Sequence, residues 1–390
     1  MKCPICNSDK TSNFLSIDNL PLILFPVKGE MRDNILNKTI DSYFCDECTH
    51  IFKKPLDENE SDIIYKKYYS FYPFDNLESM NASYRKPFAD LFSRVLTRVK
   101  DKKFKTLLEV GCSSGKQLET YNGYNLECFG IDPSPLNEMN NNFISGKYEE
   151  YKFKNKFDII VSRFNLEHIN NINYFLQKIY SDLSVDGLVF IQVPNIKTYI
   201  ENLIPLFLSH EHIHYFNPYS LFLAVNNNQF EIIDAEYDDK QSIILGLKKK
   251  LSNIYDWEKI NISKTDQSFY RNYLIKRNKL KNDIIEKIDL EAQTCFYGAG
   301  MTLGWLLYDL DLKSKIYNFR LIDDNSILRG RFFPGTNNEI NNFNSLKKDI
   351  KLNVILTLNP FYHKDVIKKL KDISEDINIL VINKNGLKKI

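Results

Sequence analysis

From residue 106 onward the chain alternates short apolar runs with amphipathic stretches, and no other feature constrains its fold as strongly. "TLLEVG" reads as a buried strand and "CSSGKQLETY" as the start of a helix. "ECFGID" and "FDIIVS" read as further strands, followed by "GLVFIQVP", "FEIIDAEY" and "SIILGLK". Alternating units of this kind specify a mostly parallel sheet with helices on both faces, and ligands bind at the carboxyl ends of its strands. A charged helical connector follows over 267–292, with Ile284, Ile285 and Ile288 as its apolar stripe. The rhythm then restarts with "TCFYGAG", a helix through "TLGWLLYDL", "FRLIDD", "NVILTL", a helix over "YHKDVIKKL" and "INILVI". The chain therefore holds two doubly wound α/β units, the second smaller than the first.

Two such units fit a length of 390 residues, too long for one ordinary core. A net charge of +2 gives no global electrostatic argument for nucleic acid or an acidic membrane surface. No run reaches the roughly 18–20 apolar residues of a membrane span, and "MKCPICNSDK" lacks the apolar core of a secretion signal. Seven cysteines, an odd number, then imply a reducing cytoplasm with thiols free or metal-bound.

Four of those cysteines come early, as Cys3-Pro-Ile-Cys6 and Cys45-Asp-Glu-Cys48. Two C-x-x-C loops can present four thiolates at the corners of a tetrahedron, the geometry zinc prefers. All four positions would be filled, so this zinc would be structural. Neither pair opens a helix after a buried strand, which argues against redox chemistry. The 38 residues between the pairs must hold small strands of their own. Further on, "SYRKPFADLFSRVLTRVK" repeats apolar residues at helical spacing (Phe88, Leu91, Phe92, Val95, Leu96). Before it, Tyr68, Tyr69 and Tyr72 are either core or the lining of a substrate cleft.

The turn Glu109-Val-Gly111-Cys112-Ser-Ser-Gly115 lies where the first strand of the larger unit ends. Its glycines allow backbone close to a ligand, and free N–H groups at the following turn suit an anion. Glu109, however, would repel a pyrophosphate and suits a cationic or zwitterionic ligand. Asp132, in "GIDPS", ends the second strand and can accept both hydroxyls of a ribose. "LLEVGCSSG", "GIDPS" and "FDIIVSRFNLEHI", in order, resemble the motifs of class I S-adenosylmethionine-dependent methyltransferases over about 105–235. The resemblance implies that Glu109, Gly111, Cys112, Gly115 and Asp132 contact this cofactor. It places Arg163 and Phe164 near the methionine or methyl end.

Three of the six histidines crowd "SHEHIHYF": His210, His212 and His214, beside Glu211. If extended, the three share one face at period two and could bind metal. They could equally be a hydrogen-bonded surface loop. In the catalytic reading a neutral imidazole removes a proton at neutral pH, and a carboxylate orients it and favours its charged form. Glu211 with His212 is that pair, and His168 is a second candidate across the cleft.

The layout as a whole resembles the nucleotide-sugar C-methyltransferases, which add a methyl at carbon 3 of a dTDP-linked 4-keto sugar. That resemblance implies a zinc-binding module over 1–60, a methyltransferase domain over 61–250 and a helical connector over 251–292. A second Rossmann-like domain would occupy 293–390. It assigns catalytic positions to Glu211, His212 and His168, and substrate contacts to His210, His214 and Tyr215. The sequence has Ser209 where the family has tyrosine and His214 where it usually has serine. Sugar O-methyltransferases carry similar segments, so carbon and oxygen both remain as the acceptor atom. Neither chemistry requires a catalytic metal. The implied protein is a cytoplasmic monomer or homodimer.

Gly298-Ala-Gly300-Met-Thr-Leu-Gly304, with Asp323 and Asp324 about twenty residues on, fits a dinucleotide fingerprint. Taken alone it points to a nicotinamide cofactor and an oxidoreductase. The resemblance instead has Gly298 and Gly300 help hold the sugar nucleotide, and a purely structural turn remains a third reading. A degenerate core serving as a scaffold is the non-catalytic alternative, against which the Glu109, Gly111 and Asp132 set argues.

Overall fold

The computed structural model describes residues 1–68, 78–99, 104–113, 115–133, 142–203, 208–238, 240–250, 262–316, 318–346, 351–373 and 377–390. Tyr69, Tyr72 and the connector's opening 251–261 lie outside them. The strands, in chain order, are β1 (Thr11–Pro21), β2 (Asn37–Cys45), β3 (Ile51–Lys53), β4 (Thr106–Val110), β5 (Glu127–Asp132) and β6 (Phe143–Ser145). They continue with β7 (Phe157–Arg163), β8 (Leu183–Pro194), β9 (His214–Tyr215), β10 (Phe230–Glu236) and β11 (Ser242–Lys249). The last are β12 (Gln293–Tyr297), β13 (Phe319–Ile322), β14 (Ile340–Asn341), β15 (Leu352–Leu356), β16 (Ile377–Asn383) and β17 (Gly386–Lys389).

The middle sheet has the order β10-β11-β8-β7-β4-β5-β6, parallel from β8 to β6 with β10 and β11 antiparallel at one edge. Its central strands are buried on both faces, which is why "TLLEV" and "FDIIVSR" are almost uninterrupted apolar runs. The helix Glu78–Arg98 covers one face with Phe88, Leu91, Phe92 and Val95. Helices Ile172–Asp182 and Pro218–Asn227 cover the other. In the first of these, Ile172, Phe175, Leu176 and Ile179 are buried, each stabilising by about 1.5–3 kcal/mol. Strand order reverses between β4 and β7. The crevice at such a point opens at the strands' carboxyl ends, between the Gly111 turn and Phe164.

The C-terminal sheet repeats the device in the order β14-β13-β12-β15-β16-β17, with only β17 antiparallel. Its reversal falls between β12 and β15, where Gly298 (φ +114°) lies so close to Leu358 that a Cβ would meet its backbone. The connector helix, Gln267–Lys287, differs from the expected stripe. Tyr270, Tyr273, Leu280 and Ile284 are its buried positions, whereas Ile285 and Ile288 are only partly buried against the core. The stretch after Gly111 also differs. Gly115 (φ +73°) precedes a 3-10 turn, Lys116–Tyr121, instead of an α-helix.

The N-terminal sheet, β1-β2-β3-β9, is antiparallel and draws its last strand from the histidine-rich segment. Ile51 pairs with Tyr215, and Phe52 with His214. A single apolar cluster joins Leu20 and Phe44 of this sheet to Ile200 and Leu208 of the middle unit and Phe296 and Leu303 of the last. A main-chain bridge between Val27 and Phe332 adds to it. Tyr68 belongs to the core, its hydroxyl donating to the Asn34 carbonyl. Among the described residues no helix is long and apolar enough to cross a membrane.

Candidate functional site

A cavity of about 2180 Å³ opens where the three units meet. Small-ligand pockets usually hold about 300–1,000 Å³, so this one has room for two sizeable molecules. Its wall includes Gly111, Asp132, Arg163 and Phe164 from the middle sheet, with His168, Glu211 and His212. Gly298, Gly300 and Asp323 line it from the C-terminal sheet.

The two Gly-rich turns are built alike. Asp132 accepts a hydrogen bond from the Ser113 N–H at 2.7 Å, and Asp323 accepts one from the Ala299 N–H at 2.9 Å. In each sheet the acidic residue ending the second strand thus braces the turn after the first. Gly111 adopts φ +76°, and a Cβ there would lie 2.7 Å from the Asn165 side chain. Gly111→Ala should therefore destabilise the protein by about 1–3 kcal/mol, read as a lower urea midpoint. An unchanged midpoint would mean that the turn relaxes freely.

Glu109 is fully buried beneath this turn, and neither carboxylate oxygen has a hydrogen-bond partner among the described residues. Burial raises its pKa to about 7, opposed by the nearby Arg163. Arg163 lies 4.3 Å over the Phe88 ring, donates from Nε to Gln192, and leaves Nη1 without a partner. An orphaned carboxylate, a turn that tolerates no Cβ and an acid at the second strand end are what a sulfonium-bearing amino acid nucleoside requires. Two residues differ from expectation. The Cys112 side chain is fully buried, with its thiol where a Cβ on Gly130 would fall, and Gly115 is not in the cavity wall. Only their main chains shape the turn.

A cation beside Glu109 would favour its ionised form. S-adenosylmethionine affinity should rise with pH up to about 7, with proton release on binding near pH 6. Calorimetry in two buffers of different ionisation heat measures this. Binding without proton exchange would remove Glu109 from the donor site.

The histidines separate. His210 is buried and donates from Nε2 to the Leu20 carbonyl at 3.1 Å. His214 is buried with Nε2 donating to the Ile169 carbonyl, so its Nδ1 accepts from His50 Nε2 at 3.1 Å. Burial holds His210 down to about 4 and His214 to about 3. The Tyr215 hydroxyl turns inward to the carbonyls of His212 and Ser209. His210, His214 and Tyr215, the expected substrate contacts, are not in the cavity wall. Pairing of β9 with β3 is the cause: it pulls both flanks of the segment into the N-terminal core.

His212 alone faces the cavity, and His168 stands beside it instead of across the cleft, ring centroids 4.7 Å apart at 82°. His168 Nδ1 meets the Glu211 carbonyl at 3.1 Å and the Tyr65 hydroxyl at 3.2 Å. A carbonyl only accepts, so Nδ1 carries the proton and Nε2 holds the lone pair. Glu211, the carboxylate expected to orient His212, also lines the cavity. Burial, His168 and Lys53 all hold the His212 imidazole well below its usual value, so the ring is neutral. The carboxylate close to both rings belongs to Glu167, which the sequence reading passed over. Its oxygen and ring nitrogens of His168 and His212 lie within 4.8 Å of one another. Burial raises Glu167 to about 8. Its only sequence signal was adjacency to His168 just after a strand end.

Outside the cavity wall, the sulfurs of Cys3, Cys6, Cys45 and Cys48 converge, with Cys3 to Cys48 and Cys6 to Cys45 both at 3.5 Å. Disulfides would need about 2.05 Å. Four thiolates bonded to one zinc at about 2.3 Å would stand about 3.8 Å apart. The donor set fits that ion.

Residues 80–235 match a family model described as a methyltransferase domain. The ubiquinone biosynthesis O-methyltransferase of Pelagibacter ubique (strain HTCC1062) is 27% identical over 145 residues, which is 33% of this chain and 60% of that relative. The chain thus spans 60% of the length of this curated relative. A solved S-adenosylmethionine-dependent methyltransferase from Clostridium acetobutylicum ATCC 824 overlaps 43% of this chain and 92% of its own, at 10% identity and a TM-score of 0.36. The PH0226 protein from Pyrococcus horikoshii OT3 overlaps 48% and 100%, at 18% identity and a TM-score of 0.39. The family match falls on the segment that carries the Gly111 turn, Asp132 and His168, and the chain accordingly contains a class I S-adenosylmethionine-dependent methyltransferase domain.

Proposed function

We propose that this protein transfers a methyl group from S-adenosylmethionine to a nucleotide-activated sugar, at the carbon next to a 4-keto group. One observation carries the reading: a single large cavity is walled by the donor turn, by His168 and His212, and by a second Gly-rich turn with its own acid. An acceptor with a sugar at one end and a nucleotide at the other suits such a space.

Bound at the Gly111 turn, with Glu109 and Asp132 as its acidic contacts, the cofactor supplies an electrophilic methyl on a sulfonium. His212 is neutral and exposed to the cavity, so its lone pair can remove the proton beside the ketone. The electron pair of that C–H bond passes to the carbonyl as an enolate, whose carbon would bond to the methyl as the methyl–sulfur bond breaks, its electron pair returning to sulfur to leave a neutral thioether. His168, neutral and held by the Glu211 carbonyl, steadies the neighbouring ring edge-on. Gly298, Gly300 and Asp323 face the nucleotide end. Zinc on the four cysteines holds the N-terminal sheet and takes no part in the reaction.

O-methylation is the second reading, favoured by the O-methyltransferase relative and by Ser209 in place of tyrosine. The same imidazole would then take a hydroxyl proton. Incubation with labelled donor and a panel of dTDP-, GDP- and UDP-sugars, in 4-keto and reduced forms, followed by mass spectrometry, decides between them. Label on carbon supports the first reading, label on oxygen the second, and no transfer to any nucleotide sugar overturns both.

A further inference from the structure

We propose that Glu167, His168 and His212 form a second metal site, one that takes a divalent transition cation and, when filled, blocks the base assigned above. The inference rests on that reading of His212 for its consequence, but the site itself stands on geometry. A carboxylate oxygen and two imidazole nitrogens lie within 4.8 Å of one another, so that small side-chain rotations would bring all three onto one ion. One carboxylate with two imidazoles suits zinc, cobalt, nickel or ferrous iron far better than magnesium or calcium.

Three features separate this group from an ordinary polar cluster. First, the Glu167 residue is 1% exposed and its Oε2 has no hydrogen-bond partner. Leaving such an oxygen unsatisfied costs stability, and a bound ion would offset that cost. Second, His168 donates its Nδ1 proton to a main-chain carbonyl, which fixes the ring and aims the Nε2 lone pair elsewhere. That outer contact is what orients histidines on metals. Third, the His212 ring makes no hydrogen bond to any described residue, although it stands edge-on to His168 at 4.7 Å.

The three ligands are also held together. The Ile213 N–H donates to the Glu167 carbonyl at 2.7 Å, tying the 3-10 turn Leu166–His168 to the segment that carries His212. Both histidines line the cavity, so coordination positions remain on the open side for water or an acceptor oxygen. The four-cysteine group offers a softer, closed set elsewhere and does not compete for the same geometry.

Coordination uses the lone pair with which His212 would remove a proton. Metal loading and proton removal therefore exclude each other, and inhibition should follow occupancy. The test uses full-length protein carrying one equivalent of zinc, titrated with Co²⁺ and followed by visible absorption. One further equivalent should bind with d–d bands but without a sulfur-to-cobalt charge-transfer band, which marks it as separate from the cysteines. Glu167→Gln, which keeps side-chain volume, should weaken that binding at least about 10–100-fold, the loss that changes to metal-supporting residues produce. His168→Ala should do the same, while both variants keep their zinc. Methyl transfer should fall to half at the Co²⁺ concentration that half-fills the absorbing site.

No second equivalent, or one indifferent to Glu167→Gln and His168→Ala, would overturn the site. A rate that rises with Co²⁺ would overturn the blocking role. If protein carrying only its one equivalent of zinc methylates no acceptor while cobalt binds as described, the functional reading fails and the metal site survives.

Discussion

His212→Ala should lower turnover by roughly 10²–10⁴-fold, the usual contribution of a positioned base, while leaving S-adenosylmethionine affinity nearly unchanged. The division follows from where the groups sit. Glu109, Gly111 and Asp132 cluster at the ends of β4 and β5, whereas His212 belongs to the segment stitched onto the N-terminal sheet. Single-turnover rates and calorimetry with the donor separate the two quantities. A His212→Ala enzyme with an unaltered rate would remove the base assignment. A variant that lost donor binding in equal measure would instead show that the segment shapes the donor site.

The parallel sheets were legible because their causes are local. Strands buried on both faces are mostly apolar, and glycine is the residue that adopts positive φ at least cost, so "TLLEVG" and "TCFYG" announce themselves. The histidine segment was misread for the opposite reason. A period-two pattern presumes a strand, but only His214 and Tyr215 pair, and they do so with β3, some 160 positions back. His214 is buried because His50 accommodates it, a contact 164 residues distant that no window reveals. Glu167 was in plain sight beside His168. What could not be read was that a 3-10 turn would bring its carboxylate near both imidazoles, with His212 arriving from 45 residues downstream. Spacing within a strand or helix survives translation into space; convergence of loops from separate elements does not.

If the four cysteines hold zinc as proposed, stripping it, or replacing Cys48 with serine, should lower the melting temperature sharply and abolish methyl transfer with it. Structural zinc contributes about 10–16 kcal/mol in small domains that fold around it, comparable with the whole stability of a typical protein. Here Cys3, Cys45 and Cys48 are buried, and each C-x-x-C loop is closed by main-chain bonds, Asn7 N–H to the Cys3 carbonyl and Thr49 N–H to the Cys45 carbonyl. Without the ion, up to four thiolates or thiols would crowd at 3.5 Å with nothing to join them. The damage should travel along a defined route. β3 follows directly from the second loop, it pairs with β9, and the His50–His214 and Leu20–His210 contacts fasten the same segment. His212 lies between those two anchors, so losing them should disorder the base without touching the chemistry directly. Hydrogen exchange on zinc-free protein should accelerate over 45–53 and 208–216 and remain slow in β12 and β15, whose partners lie wholly within the C-terminal sheet. Zinc-free protein that kept its full melting temperature would show that the hairpin holds itself together, and the cysteine cluster would then need another purpose.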